Sequence, residues 1–192
     1  INAMEEASGK DLTQFKQWYS QKGTPELEVD GQYDAAAQTY VLTVKQAQPP
    51  LHLPMLMGLV GPECHDMPTQ LAGQSDVLEG TRMLELTKSQ ETFTFINVKE
   101  KPTPSLLRNF SAPVRCQYPY TNPELAWLLQ CDSDAFSRWN ASQLLLTHIL
   151  LALADTHRQN QTMKMSDLLL ETYQALLDSP QGDFNLLSKL LT

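Results

Sequence analysis

The spacing of apolar residues changes twice along the chain and divides it into three segments. Between residues 24 and 120, apolar and polar positions alternate, most clearly in one run of large apolar side chains: Leu51, Leu53, Met55, Met57 and Leu59. A period of two is the spacing of a half-buried β-strand. Before and after this segment, apolar residues recur every three or four positions, and this spacing predicts helices.

The alternating segment predicts seven strands, which we place at residues 26–33, 39–46, 51–60, 82–87, 92–98, 106–109 and 114–118. Turn-forming residues such as Pro49-Pro50 separate the strands. Seven short strands with no helical pattern between them predict an antiparallel β-sandwich of about 100 residues. We expect Phe93 and Phe95 to share the face that points into the sandwich, and Pro54 to mark an edge or a bulge.

Residues 1–22 predict a short helical lead-in. Asp11 and Gln14 have the spacing of a capping box, in which two side chains bond to the free backbone N–H groups of a first helical turn. Phe15, Trp18 and Tyr19 follow at helical spacing and place three aromatic rings on one face. We interpret this face as a packing surface at a domain junction, with a ligand platform as the alternative.

Residues 121–192 predict an all-α segment of helical hairpins. Asn122 and Pro123 indicate a helix start, because Asn is a good N-cap and Pro suits the first turn. Further helices are expected at about 133–155 and 166–178, and Asp183 is expected to begin a fourth.

The helix at 133–155 is apolar almost all round beyond Leu144. This pattern predicts a central helix that is covered on several sides. Trp139 is expected to be buried, with Phe136 one turn away. At both chain ends the apolar faces lack partners within the sequence, so we expect a piece of a longer protein that self-associates through Phe15, Trp18 and the stripe at 186–191.

Composition and charge exclude several classes of protein. The chain has 192 residues, 42% of them hydrophobic, which is enough for one or two domains with their own cores. A formal net charge of -8, with no run of five Lys or Arg residues, predicts no binding to nucleic acid. Since no apolar stretch reaches the roughly 18–20 residues that a bilayer requires, we also predict no membrane span.

The three cysteines, Cys64, Cys116 and Cys131, lie far apart in the sequence. Their odd number and wide spacing predict no disulfide framework and favour a reducing compartment. The prediction is therefore a cytoplasmic protein.

No constellation of residues with catalytic spacing occurs. The four histidines, His52, His65, His148 and His157, are scattered, and the sequence has neither H-E-x-x-H nor G-x-S-x-G. The adjacent pair Cys64-His65 is interpreted as part of a solvated loop, and His148 as a core histidine bonded to a carbonyl. The sequence thus predicts no catalytic, cofactor-binding or metal-ligating residue.

Several separate motifs, in collinear order over most of residues 3–155, carry a family resemblance. They are D-L-T-Q-F-K-Q-W-Y-S-Q-K-G-T-P at 11–25, P-L-H-L-P at 50–54, T-F-T-F-I-N-V at 92–98, L-L-R-N-F-S-A-P-V at 106–114 and D-A-F-S-R-W-N-A-S-Q at 134–143. This sequence resembles the bacterial aminopeptidase N group of the zinc M1 metallopeptidase family, although the likeness is weaker beyond residue 155.

The resemblance implies a four-domain parent protein that uses zinc to remove N-terminal amino acids from peptide substrates. Residues 1–22 would then be the end of the catalytic domain, 23–120 the β-sandwich domain, and 121–192 the first helices of the C-terminal α-helical domain. The family's zinc motif lies upstream, so the resemblance implies an inactive scaffold, spacer and lid segment without zinc. A stand-alone module for protein interaction is the alternative.

Overall fold

Two β-sheets pack against each other in the part of the chain that the structure, a computed structural model, describes: residues 1–47, 49–178 and 188–189. The strands are β1 Glu26–Asp34, β2 Thr39–Gln46, β3 Leu53–Val60, β4 Asp66–Met67, β5 Thr69–Leu71, β6 Val77–Leu78, β7 Arg82–Leu86, β8 Gln90–Ile96, β9 Thr103–Leu106 and β10 Arg115–Gln117. One sheet has the order β10-β1-β2-β8-β5-β6, and the other contains β4, β3, β7 and β9. The β1–β10 pair is parallel, whereas β1–β2, β2–β8 and β3–β7 are antiparallel.

The core of the sandwich lies between the inward faces of the two sheets. The alternating positions of β3 supply four side chains that are 0% exposed: Leu53, Met55, Met57 and Leu59. Phe95 on β8 is also fully buried, and Phe93 packs against the same core. The predicted shared face of the two phenylalanines is therefore confirmed. Full burial of each such side chain contributes about 1.5–3 kcal/mol.

The structure corrects the strand predictions at two places. Strands β4, β5 and β6 were absent from the sequence-based prediction, and the strand predicted at 106–109 is wrong. Strand β9 ends at Leu106, and a 3-10 turn follows at Arg108–Phe110. Leu107, Asn109 and Phe110 have φ values of 55°, 59° and 51°, which lie in the left-handed region and cannot continue a strand.

Pro54 lies in the half of β3 where β7 is the neighbouring strand. It pairs with Glu85 of β7, whereas the pairing of β3 with β9 begins at Met57. A proline is tolerated at this position because its missing N–H is not needed by a second strand. The prediction of an edge position is thus correct for this half of β3.

Helices precede and follow the sandwich. They are α1 Asn2–Ser8, α2 Asn122–Cys131, α3 Ala135–Arg158 and α4 Asp167–Asp178, with a further 3-10 turn at Phe15–Tyr19. The inward faces of α2, α3 and α4 form a second core that includes Leu125, Leu129 and Leu145, each 0% exposed, and Val60 from the sandwich joins it. The predicted fold class, a β-sandwich followed by an all-α segment, is therefore confirmed.

The N-cap of α2 lies one residue before the predicted cap, Asn122, which is instead the first residue of the helix. Thr121 is the cap, because its side chain accepts the N–H of Glu124, and the Glu124 carboxylate accepts the N–H of Thr121 in return. This reciprocal pair is a capping box. It fixes the direction in which the chain leaves the sandwich.

The N-terminal segment docks on the sandwich with different contacts from those predicted. Asp11 accepts the N–H of Thr13 in a local turn, so the predicted capping box with Gln14 is wrong. The Gln14 side-chain amide instead donates to the carbonyls of Pro50 and Thr87, at 3.1 and 2.5 Å. These bonds join residues 36 and 73 positions apart and hold the segment against the sandwich.

Helix α3 is buried on one face rather than covered on several sides. Leu150 and Leu151 are 63% and 61% exposed, and Trp139 is 37% exposed. The predictions of a central helix and of a buried Trp139 are wrong for this chain, because its other helices cover only the opposite face. The predicted fourth helix at Asp183 and most of the stripe at 186–191 lie outside the described residues.

Candidate functional site

The most elaborate polar site in the described residues lies where the sandwich meets the helices, and Arg108 is its centre. Arg108 sits in the 3-10 turn after β9 and is only 1% exposed. Its two terminal nitrogens donate to the two carboxylate oxygens of Asp66, at 2.9 and 2.6 Å. This two-pronged pairing matches the planar fork of a guanidinium to a carboxylate.

Two further groups of contacts surround the guanidinium. On the sandwich side, Ser105 and Thr81 accept from Arg108 at 2.8 and 3.1 Å. On the helical side, Asp132 follows α2 directly and lies 2.9 Å from Arg108 Nη2, with its own side chain 0% exposed. Arg108 therefore joins a carboxylate of the sandwich to a carboxylate of the helical segment.

The chain leaves room for this buried side chain at Gly58 of β3. A Cβ atom built at Gly58 would collide with the guanidinium carbon and both terminal nitrogens of Arg108. Glycine is required at this position because the backbone and the charged group approach closely, not because of its φ angle.

Burial and ion pairing set the pKa of each group in this site, which we call the junction cluster (Asp66, Arg108, Asp132). Burial acts to raise the pKa of Asp66, but hydrogen bonds from Arg108 and Ser133 outweigh it, so the net pKa is lowered. For Arg108, burial acts to lower the pKa, but its bonds to Asp66 and the charge of Asp132 leave it raised. Burial dominates at Asp132 and raises its pKa despite Arg108. Burial therefore disfavours the charged form of Asp132, and the attraction of Arg108 offsets only part of this desolvation cost.

A disulfide crosses the same junction. Cys64, in the loop between β3 and β4, is bonded to Cys131, the last residue of α2, across 67 positions of sequence. The prediction that the three cysteines form no disulfide is therefore wrong. An odd number of cysteines excludes only that all of them form disulfides. The fold brings two distant cysteines together and leaves Cys116 free.

Three more hydrogen bonds cross this junction. The Trp127 indole N–H of α2 donates to the carbonyl of Gly61 at 3.2 Å, and the Tyr120 hydroxyl donates to the carbonyl of Pro104 at 2.7 Å. Ser133 Oγ donates to Asp66 at 2.7 Å. Together with the disulfide and the junction cluster, these bonds hold the helical segment on one end of the sandwich.

The structure does not bring the histidines together. The His52 ring lies 2.7 Å from a Glu85 oxygen, and His148 lies on the exposed side of α3, 3.0 Å from Asn122 Oδ1. The expectation of a core histidine at position 148 is thus wrong. Across residues 1–47, 49–178 and 188–189, no group of three or more His, Cys, Asp or Glu side chains could hold a metal ion.

The aromatic residues of the lead-in form a groove rather than a fully packed face. Phe15, Trp18 and Tyr19 line a hollow of about 440 Å³ together with His52, Pro54 and the segment at 111–113. Trp18 packs against the sandwich core and donates to the carbonyl of His52, whereas Phe15 and Tyr19 are 39% and 78% exposed. The predicted packing role therefore holds for Trp18, and an apolar hollow remains beside it.

Arg108 was not among the residues that the sequence singled out, although its side chain is only 1% exposed. A signal was present, since Arg108 follows two leucines directly and a cation in an apolar run needs buried acidic partners. Its partners are 42 and 24 positions away, so no local pattern could identify them.

None of the helices in the described part of the chain has both the length and the apolar character to cross a bilayer.

The fold and the junction define a recognisable class of two-part structure, an immunoglobulin-like sandwich followed by a helical segment. Residues 23–119 match the family described as a domain of unknown function (DUF3458) with an Ig-like fold, and residues 122–192 match its C-terminal companion, which is described as ARM repeats. The chain therefore belongs to the DUF3458 family.

Curated relatives match the whole chain. Aminopeptidase N of Escherichia coli (strain K12) is 35% identical over 202 aligned positions, and aminopeptidase N of Haemophilus influenzae is 34% identical over 201. In both, the match covers 100% of this chain and 23% of the relative. The expected resemblance to bacterial aminopeptidase N is confirmed, and the chain spans less than a quarter of the length of these relatives.

A solved structure has the same arrangement. The crystal structure of Legionella pneumophila aminopeptidase A in complex with aspartic acid matches with a TM-score of 0.82 and 28% identity. The match covers 100% of this chain and 21% of that protein. The similarity thus includes the position of the helices relative to the sandwich.

Proposed function

We propose that this chain is part of a zinc-dependent aminopeptidase of the M1 family and serves as a scaffold for a catalytic site that lies elsewhere in the parent protein. The observation that carries the proposal is the similarity to aminopeptidase N along 100% of the chain. The substrates of the parent protein would be peptides, from which it removes N-terminal amino acids.

Zinc belongs to the parent protein in this proposal, because the residues of this chain do not fit a zinc site. A catalytic zinc needs three converging protein ligands and an open position for water. The sequence has no H-E-x-x-H motif, and His52 and His148 are each bonded to other side chains. No catalytic step is therefore assigned to residues of this chain.

The scaffold role rests on how firmly the two parts are joined. In this proposal residues 1–22 are the end of the catalytic domain, 23–120 the sandwich domain, and 121–192 the start of a helical lid. The sandwich acts as a spacer, and the junction cluster with the Cys64–Cys131 disulfide sets where the helical segment sits. Placement within about 1 Å matters for catalysis, since small misplacements cost large factors in rate.

The test is the release of a chromophore from an aminoacyl anilide by the purified chain and by the full-length protein, each with zinc added. We expect turnover by the full-length protein, loss of that turnover with a chelator, and none from the chain alone. Chelator-sensitive turnover by the chain would overturn the scaffold role. An inactive full-length protein that is folded and loaded with zinc would overturn the peptidase assignment and favour a stand-alone interaction module.

A cytoplasmic location stays a prediction. One of its premises, the absence of a disulfide, no longer stands, because Cys64 and Cys131 are bonded. In a reducing compartment, disulfides that form are usually transient or redox-sensing.

A further inference from the structure

We infer that the Cys64–Cys131 disulfide is a thiol–disulfide exchange site, and that its reduction by a dithiol loosens the loop around Cys64 and the end of α2 while both parts stay folded and joined. The inference does not depend on peptidase activity. It rests on the exposure of one cysteine, the backbone conformation at that cysteine, and the position of the bond across the junction.

The two cysteines differ in accessibility. Cys64 is exposed in the loop after β3, whereas Cys131 is 8% exposed at the end of α2. The residues on either side of Cys64, Glu63 and His65, line an open groove of about 520 Å³. A dithiol can therefore reach the disulfide from the Cys64 side without unfolding the chain, and exposed disulfides are those that exchange most readily.

The backbone at Cys64 is held in an unfavourable conformation. Its φ is 61°, in the left-handed region that residues other than Gly, Asn and Asp rarely adopt. Such a conformation persists only where the surroundings impose it. Breaking the disulfide removes one of those constraints and lets the loop relax.

The exchange is a balanced two-electron step. One thiolate of the dithiol attacks Sγ of Cys64, the S–S bond breaks, and the electron pair leaves on Sγ of Cys131, which takes a proton from water. The second thiolate then attacks the sulfur of the reductant in the mixed disulfide. Cys64 leaves as a thiolate, so the chain gains two thiols and the dithiol becomes a cyclic disulfide.

Non-covalent contacts keep the two parts folded after reduction. Arg108 still joins Asp66 to Asp132, and Trp127 still donates to Gly61. The disulfide joins residues 67 positions apart, so its loss raises the conformational entropy of the unfolded chain considerably. We therefore expect Tm to fall by roughly 10 °C. The expected change is therefore local loosening near 61–66 and 128–131 rather than separation.

The test treats the 192-residue chain with dithiothreitol without denaturant and stops the exchange with acid. The dithiothreitol is removed, and the thiols are then alkylated in denaturant at neutral pH and counted by mass spectrometry. One of the three cysteines should be alkylated before treatment and all three afterwards. Far-UV circular dichroism should stay unchanged. Hydrogen exchange should accelerate at least tenfold in 61–66 and 128–131 and remain constant in β2 and β8.

Two variants serve as controls. Cys116→Ser removes the free thiol and leaves the disulfide, so it should respond to the dithiol as the unsubstituted chain does. Cys64→Ser should show the fast exchange and the lower Tm without any dithiol. If Cys64→Ser does not fold, treatment of the Cys116→Ser chain still tests the inference in full.

Either of two results would overturn the inference. The first is that the disulfide is reduced only when denaturant unfolds the chain. The second is that all three cysteines become alkylated while exchange in 61–66 and 128–131 stays as slow as in the oxidised chain.

Discussion

Arg108 is the residue on which the junction depends most. Its guanidinium is 1% exposed and pairs with Asp66 and Asp132, which belong to the sandwich and to the helical segment. The pairing does not have to add net stability, because desolvation of three charges offsets much of the attraction. Its clearest consequence is that removal of Arg108 leaves the carboxylates of Asp66 and Asp132 without their cation.

We therefore expect Arg108→Met to lower the free energy of unfolding by about 3–5 kcal/mol, since it leaves two carboxylates in the junction without a cation. Denaturant titration measures this change. Arg115→Met is the matched control, because Arg115 is 73% exposed and lies 3.7 Å from Glu26, and it should change the free energy of unfolding by less than about 1 kcal/mol. Equal effects of the two substitutions would contradict this view of the junction.

The lowered pKa of Asp66 predicts how stability depends on pH. In the folded chain Arg108 favours the ionised carboxylate, so its stabilisation is present above the unfolded pKa of about 4 and is lost as pH falls through the lower folded pKa. Asp132 acts in the opposite sense because its pKa is raised. Since Asp132 is present both in the unsubstituted chain and in an Asp66→Asn variant, a comparison of the two isolates the effect of Asp66.

The difference in unfolding free energy between the parent and Asp66→Asn should therefore be constant above about pH 5 and shrink below pH 4. Thermal unfolding from pH 2.5 to 7 measures it. Asp155→Asn is the control, because Asp155 is 64% exposed and its ion pair with Arg158 lies on the surface of α3. A difference that stays constant down to pH 2.5 would contradict the lowered pKa.

At the scale of single elements, alternation identified the strands that form the core. β1, β2, β3, β7 and β8 coincide closely with their predicted ranges, because more and less buried positions alternate along them. Only the second half of β3, from Met57 to Val60, is buried on both faces. β4 and β6 have two residues each, which is too few to show an alternating pattern of apolar and polar residues. Such strands exist only because a neighbouring strand offers hydrogen bonds.

The errors after β9 and in α3 have a different cause, which is tertiary context. Leu106-Leu107 continues an apolar pattern, but burial of Arg108 needs the left-handed turn that follows, and no local pattern encodes its partners. In α3 the sequence shows an apolar helix correctly. It cannot show that the surface around Leu150 and Leu151 has no cover within this chain.

At the scale of the whole molecule, many large apolar side chains are exposed, and two groups of them lie close together in the sequence. Phe15 and Tyr19 are exposed beside the hollow at the lead-in, and Leu150 and Leu151 are more than 60% exposed on α3. Contiguous apolar surface of this kind favours association. The sequence predicted self-association through Phe15, Trp18 and the stripe at 186–191. Of these, Phe15 is exposed, Trp18 is half-buried, and most of the stripe lies outside the described residues. Leu150 and Leu151 are a further place at which we now expect association.

We expect the apparent mass of the chain in sedimentation experiments to rise with concentration, and the chain to bind a hydrophobic dye. Leu150→Lys with Leu151→Glu should weaken both effects without changing stability by more than about 1 kcal/mol, because both side chains face water. Thr147→Lys, at an exposed polar position of the same helix, is the control. A monomeric parent at high concentration that binds no dye would contradict the prediction.

The scaffold role is tested most directly by the kinetics of the full-length protein carrying Arg108→Met, assayed at a temperature where the variant is folded. We predict that zinc content stays equal to that of the unsubstituted full-length protein, while kcat/KM for an aminoacyl anilide falls by roughly ten- to a hundredfold, because the helical segment is held less firmly in its position. Arg115→Met should leave both quantities unchanged. A folded Arg108→Met protein with the kcat/KM of the parent would contradict the claim that this junction positions the catalytic site.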